Sequence, residues 1–295
     1  MSETRQWSGR TDGAGWMHMA LIGMLKVLPL GLLYFLMAFV IPFYLLFNSK
    51  GYLAIYHYLR QRQGWSMVKS FLGCYGNHFL FGTAVLDRFA AFAGKRFKAD
   101  VQQPELLAQA NTSEAGFIQL SSHIGNQEMS GYMLHSNKPM NVIAFPGEKE
   151  TVRRRRAQLL ERNNIRLVLA DDDMGWLFTL NEALASGEVV SIHADRIFGS
   201  PKYLEVSLLG GKVRLPQGPF ALATMRNLPV LASFPIKSGI KHYKVFLFRL
   251  DTPQMRALPR QERMMALAGA YVTAIEAILK NWPLQWYNFY EFWES

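Results

Sequence analysis

Residues 117–128 read FIQLSSHIGNQE, an apolar run followed by a histidine and, five positions after it, a glutamate. Positions five apart on a helix are separated by roughly 140°, so His123 and Glu128 do not share one face of a continuous helix. The stretch therefore predicts a strand over its apolar part, a turn that carries His123, and a helix that begins near Gly125 or Asn126. Glu128 then lies in the first turn of that helix, where the helix dipole favours a carboxylate.

This arrangement predicts a histidine–carboxylate dyad. Glu128 would orient the imidazole of His123 and leave its other ring nitrogen to take a proton from a hydroxyl or amine that attacks an acyl donor. The backbone N–H groups of Gly125 and Asn126, at the start of the helix, are candidate donors to the developing oxyanion. The alternative is an ordinary pairing of a histidine with a glutamate on the surface or in the core.

A hydrophobic segment precedes this motif by about 70 residues. Val27–Phe47 reads VLPLGLLYFLMAFVIPFYLLF and carries no charge, and about 20 apolar residues suffice for a helix to cross a bilayer. The segment predicts a membrane helix, with residues 1–50 as an anchor and residues 51–295 as a catalytic domain. A buried helix hairpin or a re-entrant segment is the alternative. A signal peptide is disfavoured by the length of the run and by the lack of a small-residue cleavage site. A slight excess of Lys and Arg after the segment favours a cytoplasmic domain.

The formal charge of +10 indicates acidic partners. Nucleic acid, anionic lipid and a small acidic carrier protein all fit that charge. No zinc-finger spacing, aromatic RNA-binding motif or Gly-rich phosphate loop accompanies the basic residues, so we expect no nucleic-acid partner. The single cysteine, Cys74, excludes an internal disulfide and is expected to be a small buried hydrophobe.

The chain after Tyr52 alternates strand-like and helical patterns, which predicts an α/β domain with a mixed β-sheet flanked by helices on both faces. Leu209–Lys212 has the turn residues of a tight hairpin, so part of the strand pairing is expected to be antiparallel. The predicted strands are Phe117–Leu120, Asn141–Phe145, Arg166–Leu169, Glu188–His193, Tyr203–Leu209, Lys212–Leu215, Val230–Ile236 and Tyr243–Leu250. The predicted helices are Tyr52–Arg62, Met67–Ala93, Asn126–His135, Glu148–Asn163, Gly175–Ser186, Pro219–Arg226 and Arg260–Asn281.

A strand, a histidine with an acid five residues later, and further β/α alternation behind a hydrophobic helix resemble the lysophospholipid acyltransferase superfamily. Within it, the chain looks most like the late acyltransferases of bacterial lipid A biosynthesis. Five blocks, in this order, carry the resemblance: SHIGNQE at 122–128, SIHADR at 191–196, LPQGP at 215–219, NLPVLA at 227–232 and QWY at 285–287.

The resemblance implies a glycerolipid acyltransferase-like fold, with His123 and Glu128 as catalytic residues and no metal or other cofactor. It implies a thioester donor carried by acyl carrier protein, or acyl-CoA, and a lipid acceptor such as lipid A or a related outer-membrane glycolipid precursor. It places the protein at the bacterial inner membrane. Asp195 and Arg196, at the end of a predicted strand, are expected to position substrate or to support the site, or else to pair only with each other.

Arg153–Arg156 form a run of four arginines that covers every face of a helix. Arg153 and Arg154 are the candidates for contact with a donor or a phosphate, and a solvated helix face is the alternative. Residues 170–174 read ADDDM where the family commonly has a basic pair, which puts the usual phosphate contact in doubt. Glycerophospholipid and aminoacyl-type transfer therefore stay open, as does a membrane-tethered basic scaffold without catalysis. Phe145–Glu148 is expected to be a turn before the next helix.

Overall fold

The computed structural model describes residues 15–47, 49–134, 137–144, 150–170, 175–197 and 202–293. The expected turn at Phe145–Glu148 and the acidic residues Asp171–Asp173 lie outside these ranges. The chain first forms a group of helices: α1 (Gly15–Val27), α2 (Leu30–Phe47), α3 (Ser49–His57), which continues as a π-helical turn (Tyr58–Arg62), and α4 (Met67–Phe92).

The predicted hydrophobic segment, Val27–Phe47, lies almost entirely in α2, and only its first residue belongs to α1. The break falls at Leu28, directly before Pro29, because a proline disfavours the helical conformation of the residue that precedes it. Among the described residues, α2 is the one helix that is long and apolar enough to cross a membrane by length and composition, a test that a signal sequence also meets.

One side of α2 packs on α4, where Leu33 and Tyr34 are buried. The opposite side leaves large apolar side chains exposed, and 22% of the helix is buried inside the protein. This low burial separates α2 from an ordinary core helix. The exposed side chains are Leu32, Phe35, Leu36, Phe39, Val40, Phe43, Tyr44, Leu46 and Phe47.

The main sheet of the described chain has seven strands. In sheet order they are β1 (Lys98–Gln102), β9 (His242–Arg249), β8 (Val230–Lys237), β2 (Phe117–Ser121), β5 (Val189–His193), β3 (Met140–Ala144) and β4 (Ile165–Leu169). All neighbours are parallel except β8 and β9, which are antiparallel. The predicted mixed α/β architecture is therefore confirmed. Strand β1 escapes prediction because it lies at the sheet edge and has no apolar run.

The predicted hairpin is present, but it forms a separate two-stranded sheet of β6 (Tyr203–Leu208) and β7 (Gly211–Pro216). Its turn places Leu209 and Gly210 at φ of 49° and 72°. Both values belong to the left-handed region that tight hairpin turns require. The antiparallel pairing in the main sheet comes instead from β8 and β9.

Helices cover the sheet, and α11 packs against its centre. Leu267, Tyr271 and Ile275 of α11 join the core formed by β2, β5 and β8. Cys74 is buried in the same core, as expected. The remaining helices are α5 (Pro104–Thr112), α6 (Gln127–Met133), α7 (Glu150–Glu161), α8 (Gly175–Ala185), α9 (Gln217–Met225), α10 (Pro253–Arg256) and α11 (Arg260–Asn281), followed by a 3₁₀ turn at Pro283–Gln285.

The aromatic residues near the C-terminus pack inward. Trp286 is fully buried and makes edge-to-face contacts with Tyr58, Phe292 and Trp293, at ring-centroid distances of 5.2, 5.0 and 5.6 Å. Such contacts stabilise a core beyond the burial of area. This C-terminal segment also contacts the loop His123–Asn126, which we call the motif loop, since the backbone N–H of Tyr287 donates to the carbonyl of His123.

Candidate active site

Two neighbouring parallel strands bring a histidine and an aspartate together. Strands β2 and β5 pair in a register that sets Ser121 opposite His193. Two residues beyond this pair lie His123 and Asp195, at the same edge of the sheet. His123 Nδ1 is 2.8 Å from Asp195 Oδ1, and the backbone N–H of His123 donates to Asp195 Oδ2 at 2.8 Å. We call these two residues the strand-end pair.

The environment of the strand-end pair suits a neutral histidine beside an ionised aspartate. Burial would raise the pKa of Asp195, but the adjacent His123 and its hydrogen bond lower it well below its usual range. Burial lowers the pKa of His123 below its ordinary value, and Asp195 offsets that effect only in part. The carboxylate therefore accepts from Nδ1–H, which makes Nε2 the basic nitrogen of His123.

His193, which sequence analysis did not single out, stacks on this histidine. The two rings have centroids 4.7 Å apart and an interplanar angle of 23°. Ser121 Oγ lies 3.3 Å from His193 Nδ1. Burial, and next the neighbouring His123, lowers the pKa of His193 to about 3. His193 is therefore a neutral ring that limits the tilt of the His123 imidazole.

The loop after His123 is fixed by backbone contacts. Gly125 adopts φ of +68°, and a Cβ there would lie 2.1 Å from the carbonyl oxygen of Pro235, so only glycine fits. Its N–H donates to the carbonyl of Gln285 at 2.7 Å, and the N–H of Asn126 donates to that of Pro235 at 2.9 Å. Both groups are occupied by the protein. In this conformation neither N–H group is available to an oxyanion.

The side chain of Asn126 is also part of the scaffold. Its amide nitrogen donates to the carbonyl of Ala84 in α4 at 2.9 Å and to the hydroxyl of Tyr243 at 3.3 Å. Asn126 therefore ties the motif loop to α4 and β9.

Glu128 does not form the hydrogen bond to His123 that its spacing predicts. Its carboxylate accepts a short hydrogen bond from the hydroxyl of Tyr132, one turn later in α6, and lies 3.8 Å from Arg88 and 3.5 Å from Arg156. The expected contact is thus corrected: the carboxylate that bonds to Nδ1 of His123 belongs to Asp195 and not to Glu128. The reason is that α6 starts at Gln127 and points Glu128 towards α4 and α7, whereas strand register places Asp195 beside the ring.

The arginine run of α7 presents its members in different directions. Arg156 lines the cavity in front of His123, and its side chain is 18% exposed. Arg154 is 76% exposed and pairs with Glu150 at 2.6 Å. Arg153 is half-buried, and neither it nor Arg154 lines the cavity. The arginines expected at the site, Arg153 and Arg154, therefore lie outside the cavity, whereas Arg156 lines it.

Arg196 follows the strand-end aspartate and also lines the cavity. Its guanidinium donates to the carbonyl of Tyr287 at 2.5 Å and lies over the ring of Tyr290, 5.7 Å from the centroid. Asp195 and Arg196 therefore do not merely pair with each other. Asp195 binds His123, and Arg196 binds the C-terminal segment beside the cavity.

The cavity in front of the strand-end pair has a volume of about 430 Å³ and three kinds of lining. Polar side chains of the sheet form its floor: Gln119, Ser121, Ser191 and His193. Charged side chains of α4, α6 and α7 form its rim: Arg88, Glu128 and Arg156. Apolar side chains form its walls, among them Phe81, Val85, Met140, Val142, Leu160 and Ile165.

Three side chains of the site lie close enough together to hold a metal ion. Ligand atoms of His123, His193 and Asp195 lie within 4.8 Å of one another. However, the two imidazoles are stacked, and the contact between Nδ1 and the carboxylate is that of a hydrogen bond. This geometry fits a proton between His123 and Asp195 better than a shared metal ion.

A half-buried histidine bonded to a buried aspartate at the carboxyl ends of two parallel strands, beside a cavity with a cationic rim, defines an enzyme class suited to base-catalysed group transfer. The chain belongs to the bacterial lipid A biosynthesis acyltransferase family, whose model matches residues 79–295, more than two thirds of the chain. The resemblance drawn from the motifs is thus confirmed. The family supports acyl transfer to a lipid as the activity of this chain. No curated protein matched the chain in a sequence comparison.

Proposed function

We propose that this protein transfers an acyl group from a thioester donor to a hydroxyl or amine of a membrane lipid. The strand-end pair carries the proposal, because His123 is held in one tautomer by a buried carboxylate and lines a cavity large enough for an acyl group. A histidine oriented by a buried carboxylate in this way has no evident use in a membrane-tethered scaffold. This geometry supports catalytic roles for His123 and Asp195.

In the proposed reaction His123 acts as the general base. Its Nε2 takes the proton of the acceptor as the acceptor's oxygen or nitrogen bonds to the thioester carbonyl carbon, and Asp195 stabilises the resulting imidazolium. Collapse of the tetrahedral intermediate breaks the C–S bond, and the leaving thiolate recovers the proton from the imidazolium. Arg196 lines the same cavity and supplies positive charge where the oxyanion develops.

The rim suits an anionic group on one of the substrates. Arg88 and Arg156 flank Glu128, which fixes their positions. Two guanidinium groups held in this way fit a phosphate. Such a phosphate is present on the prosthetic group of acyl carrier protein, on CoA and on lipid A precursors. We propose acyl carrier protein as the donor, with acyl-CoA as the alternative, and lipid A or a related outer-membrane glycolipid precursor as the acceptor.

Residues 15–47 supply a membrane-facing surface. The side of α2 that does not pack on α4 exposes Phe35, Phe39, Phe43 and Phe47. Exposed apolar patches of this size mark membrane or protein contacts. We propose that α2 holds the enzyme at the bacterial inner membrane, with the catalytic domain on the cytoplasmic side.

Membrane attachment can be tested in the full chain. Replacing Phe35, Phe39 and Phe43 with asparagine should move a large share of the protein to the soluble fraction. The matched control replaces Met225 and Ile240, exposed apolar residues outside α2, and should leave the distribution unchanged. Wild-type protein found wholly in the soluble fraction would contradict the attachment.

The activity itself is tested with full-length protein in detergent. Purified protein would receive acyl carrier protein loaded with acyl chains, or acyl-CoA, together with lipid A precursors or glycerophospholipids. Mass spectrometry of the lipids should show one added acyl group with wild-type protein and almost none with His123→Ala. Failure of every donor and acceptor pair would overturn the proposed function.

A further inference from the structure

The floor of the cavity has a chemistry that an unsubstituted acyl chain does not explain. Side chains alternate between the two faces of a strand, so Gln119 and Ser121 of β2 share one face, and Ser191 and His193 of β5 share the same face. The register pairs Gln119 with Ser191 and Ser121 with His193. Four polar side chains thus form a continuous patch on one face of two central strands.

The opposite face of the same strands shows the contrast. Ile118, Leu120, Val190 and Ile192 all belong to the hydrophobic core. The polar residues are therefore confined to the face that lines the cavity. A strand buried on both faces normally carries apolar residues on each.

Two members of the floor have unused hydrogen-bonding capacity. Gln119 is 7% exposed and Ser191 is 5% exposed, and burying a polar group costs free energy unless it is hydrogen-bonded. Ser121 and His193 contact each other. Among the residues that the structure describes, Gln119 and Ser191 have no fully buried side-chain polar atom that lacks a partner, so their polar ends are open to the cavity that both line. A ligand in the cavity can therefore pair with both side chains.

The charges around the cavity narrow the chemistry of that ligand. Arg156 and Arg196 line it, and Glu128 is already engaged by Arg88 and Arg156. A ligand ammonium would meet positive charge without a carboxylate to pair with. A neutral hydroxyl, which both donates and accepts, matches an amide beside a serine hydroxyl.

We propose that the cavity selects an acyl group that carries a hydroxyl, and that Gln119 and Ser191 bind this hydroxyl. The apolar walls, including Val142, Leu160 and Ile165, contact the hydrocarbon part of the chain. This proposal rests on the proposed function and specifies its donor. An unsubstituted chain would leave the Gln119 amide buried and unpaired, a situation that enzymes use to reject an analogue lacking one hydroxyl.

The test compares donors that differ by one oxygen atom. Full-length protein would receive equal amounts of α-hydroxyacyl, β-hydroxyacyl and unsubstituted acyl groups of one chain length, on the same carrier. Wild-type kcat/KM should favour one hydroxyacyl donor by at least about tenfold. Gln119→Leu and Ser191→Ala should each reduce that preference, and the double variant should remove it while transfer of the unsubstituted chain persists.

The control variant is Ser233→Ala, which alters a buried serine of β8 that does not line the cavity. It should leave the donor preference unchanged. Equal kcat/KM for all three donors, or a preference that survives both floor substitutions, would overturn the proposal.

A binding measurement separates this inference from the proposed function. Free hydroxy fatty acids and the unsubstituted fatty acid of the same length can be titrated into wild-type and Gln119→Leu protein. Preferential binding of a hydroxy acid by wild type alone supports the polar floor even if no transfer is found. Equal binding by both proteins would refute it even if transfer occurs.

Discussion

The strand-end pair and the rim of the cavity use carboxylates for different purposes. Asp195 is fully buried and binds a histidine, so its charge acts on the base. Glu128 lies between Arg88 and Arg156, so its charge holds cations in place. The difference teaches that an acid close to a histidine in sequence is not necessarily its partner in space. Strand register decided which carboxylate reached the ring.

The largest effect is expected at the base itself. His123→Ala removes the proton acceptor and should lower kcat by about 10²-fold or more, because general-base catalysis contributes at least that factor. Circular dichroism and membrane fractionation should match wild type, since the side chain lines a cavity. A variant that retained near-normal turnover would show that the strand-end pair is not the catalytic centre.

Asp195→Asn should produce the next largest loss, about tenfold to 100-fold in kcat. Asp195 raises the pKa of His123 against the lowering effect of burial, so its neutralisation should lower that pKa further. The acidic limb of the kcat/KM profile should therefore move to lower pH, although maximal activity falls. An unchanged or upward-shifted limb would contradict the assigned contact.

The comparison between the two carboxylates is sharpened by double variants. Asp195→Asn combined with His123→Ala should be little worse than His123→Ala alone, because the two residues act as a unit. Asp195→Asn combined with Glu128→Gln should instead lose activity by the product of the single losses. The opposite result would contradict the assigned contact. If the losses from Glu128→Gln and His123→Ala are non-additive while those from Asp195→Asn and His123→Ala multiply, Glu128 is the functional partner of His123, as the sequence predicted.

The rim should affect substrate binding more than turnover. Arg156→Gln removes a cation that Glu128 holds at the cavity and should raise the KM of the phosphate-bearing substrate by several-fold to tenfold. Arg154→Gln is a matched control on the same helix, because Arg154 is exposed and paired with Glu150. An equal rise in KM for both variants would indicate that the net charge of the protein, and not the place of Arg156 at the cavity, is responsible.

Sequence patterns predicted the architecture well because the parallel strands are apolar runs with clear limits. All eight predicted strands are present, and α11 spans the predicted Arg260–Asn281. They missed β1, which is largely polar and lies at the edge of the sheet, and the helices α1, α5 and α10.

The site was harder to predict, because its contacts join residues that are distant in the chain. His123 and Asp195 are 72 positions apart, and only the register of β2 and β5 brings them together. Local spacing could suggest Glu128 but not the arginines that hold it. The polar floor did leave a signal that sequence reasoning overlooked. Polar residues recur at alternate positions, Gln119 and Ser121 in one apolar strand and Ser191 and His193 in the other.

The smallest expected effect concerns the outer arginines of α7. Arg153 and Arg154 do not line the cavity, but they lie on the same helix as Arg156. We expect them to steer an acidic carrier protein towards the cavity. Replacing both with glutamate should raise the apparent KM for acyl carrier protein by a few-fold and leave the KM for acyl-CoA nearly unchanged, because CoA lacks a protein surface.

Salt provides the second measurement for the same surface. Charge-steered association weakens as ionic strength rises, since the Debye length is about 8 Å at physiological salt. The wild-type KM for the carrier donor should therefore increase with salt, and that of the double variant should increase much less. Equal salt dependence in both proteins, or equal effects on carrier and CoA donors, would limit these two arginines to a solvated helix face. In that case every proposed contact with the substrates would lie within the cavity. The strand-end pair would then act on the acceptor's proton, and the rim would bind the charged group of a substrate.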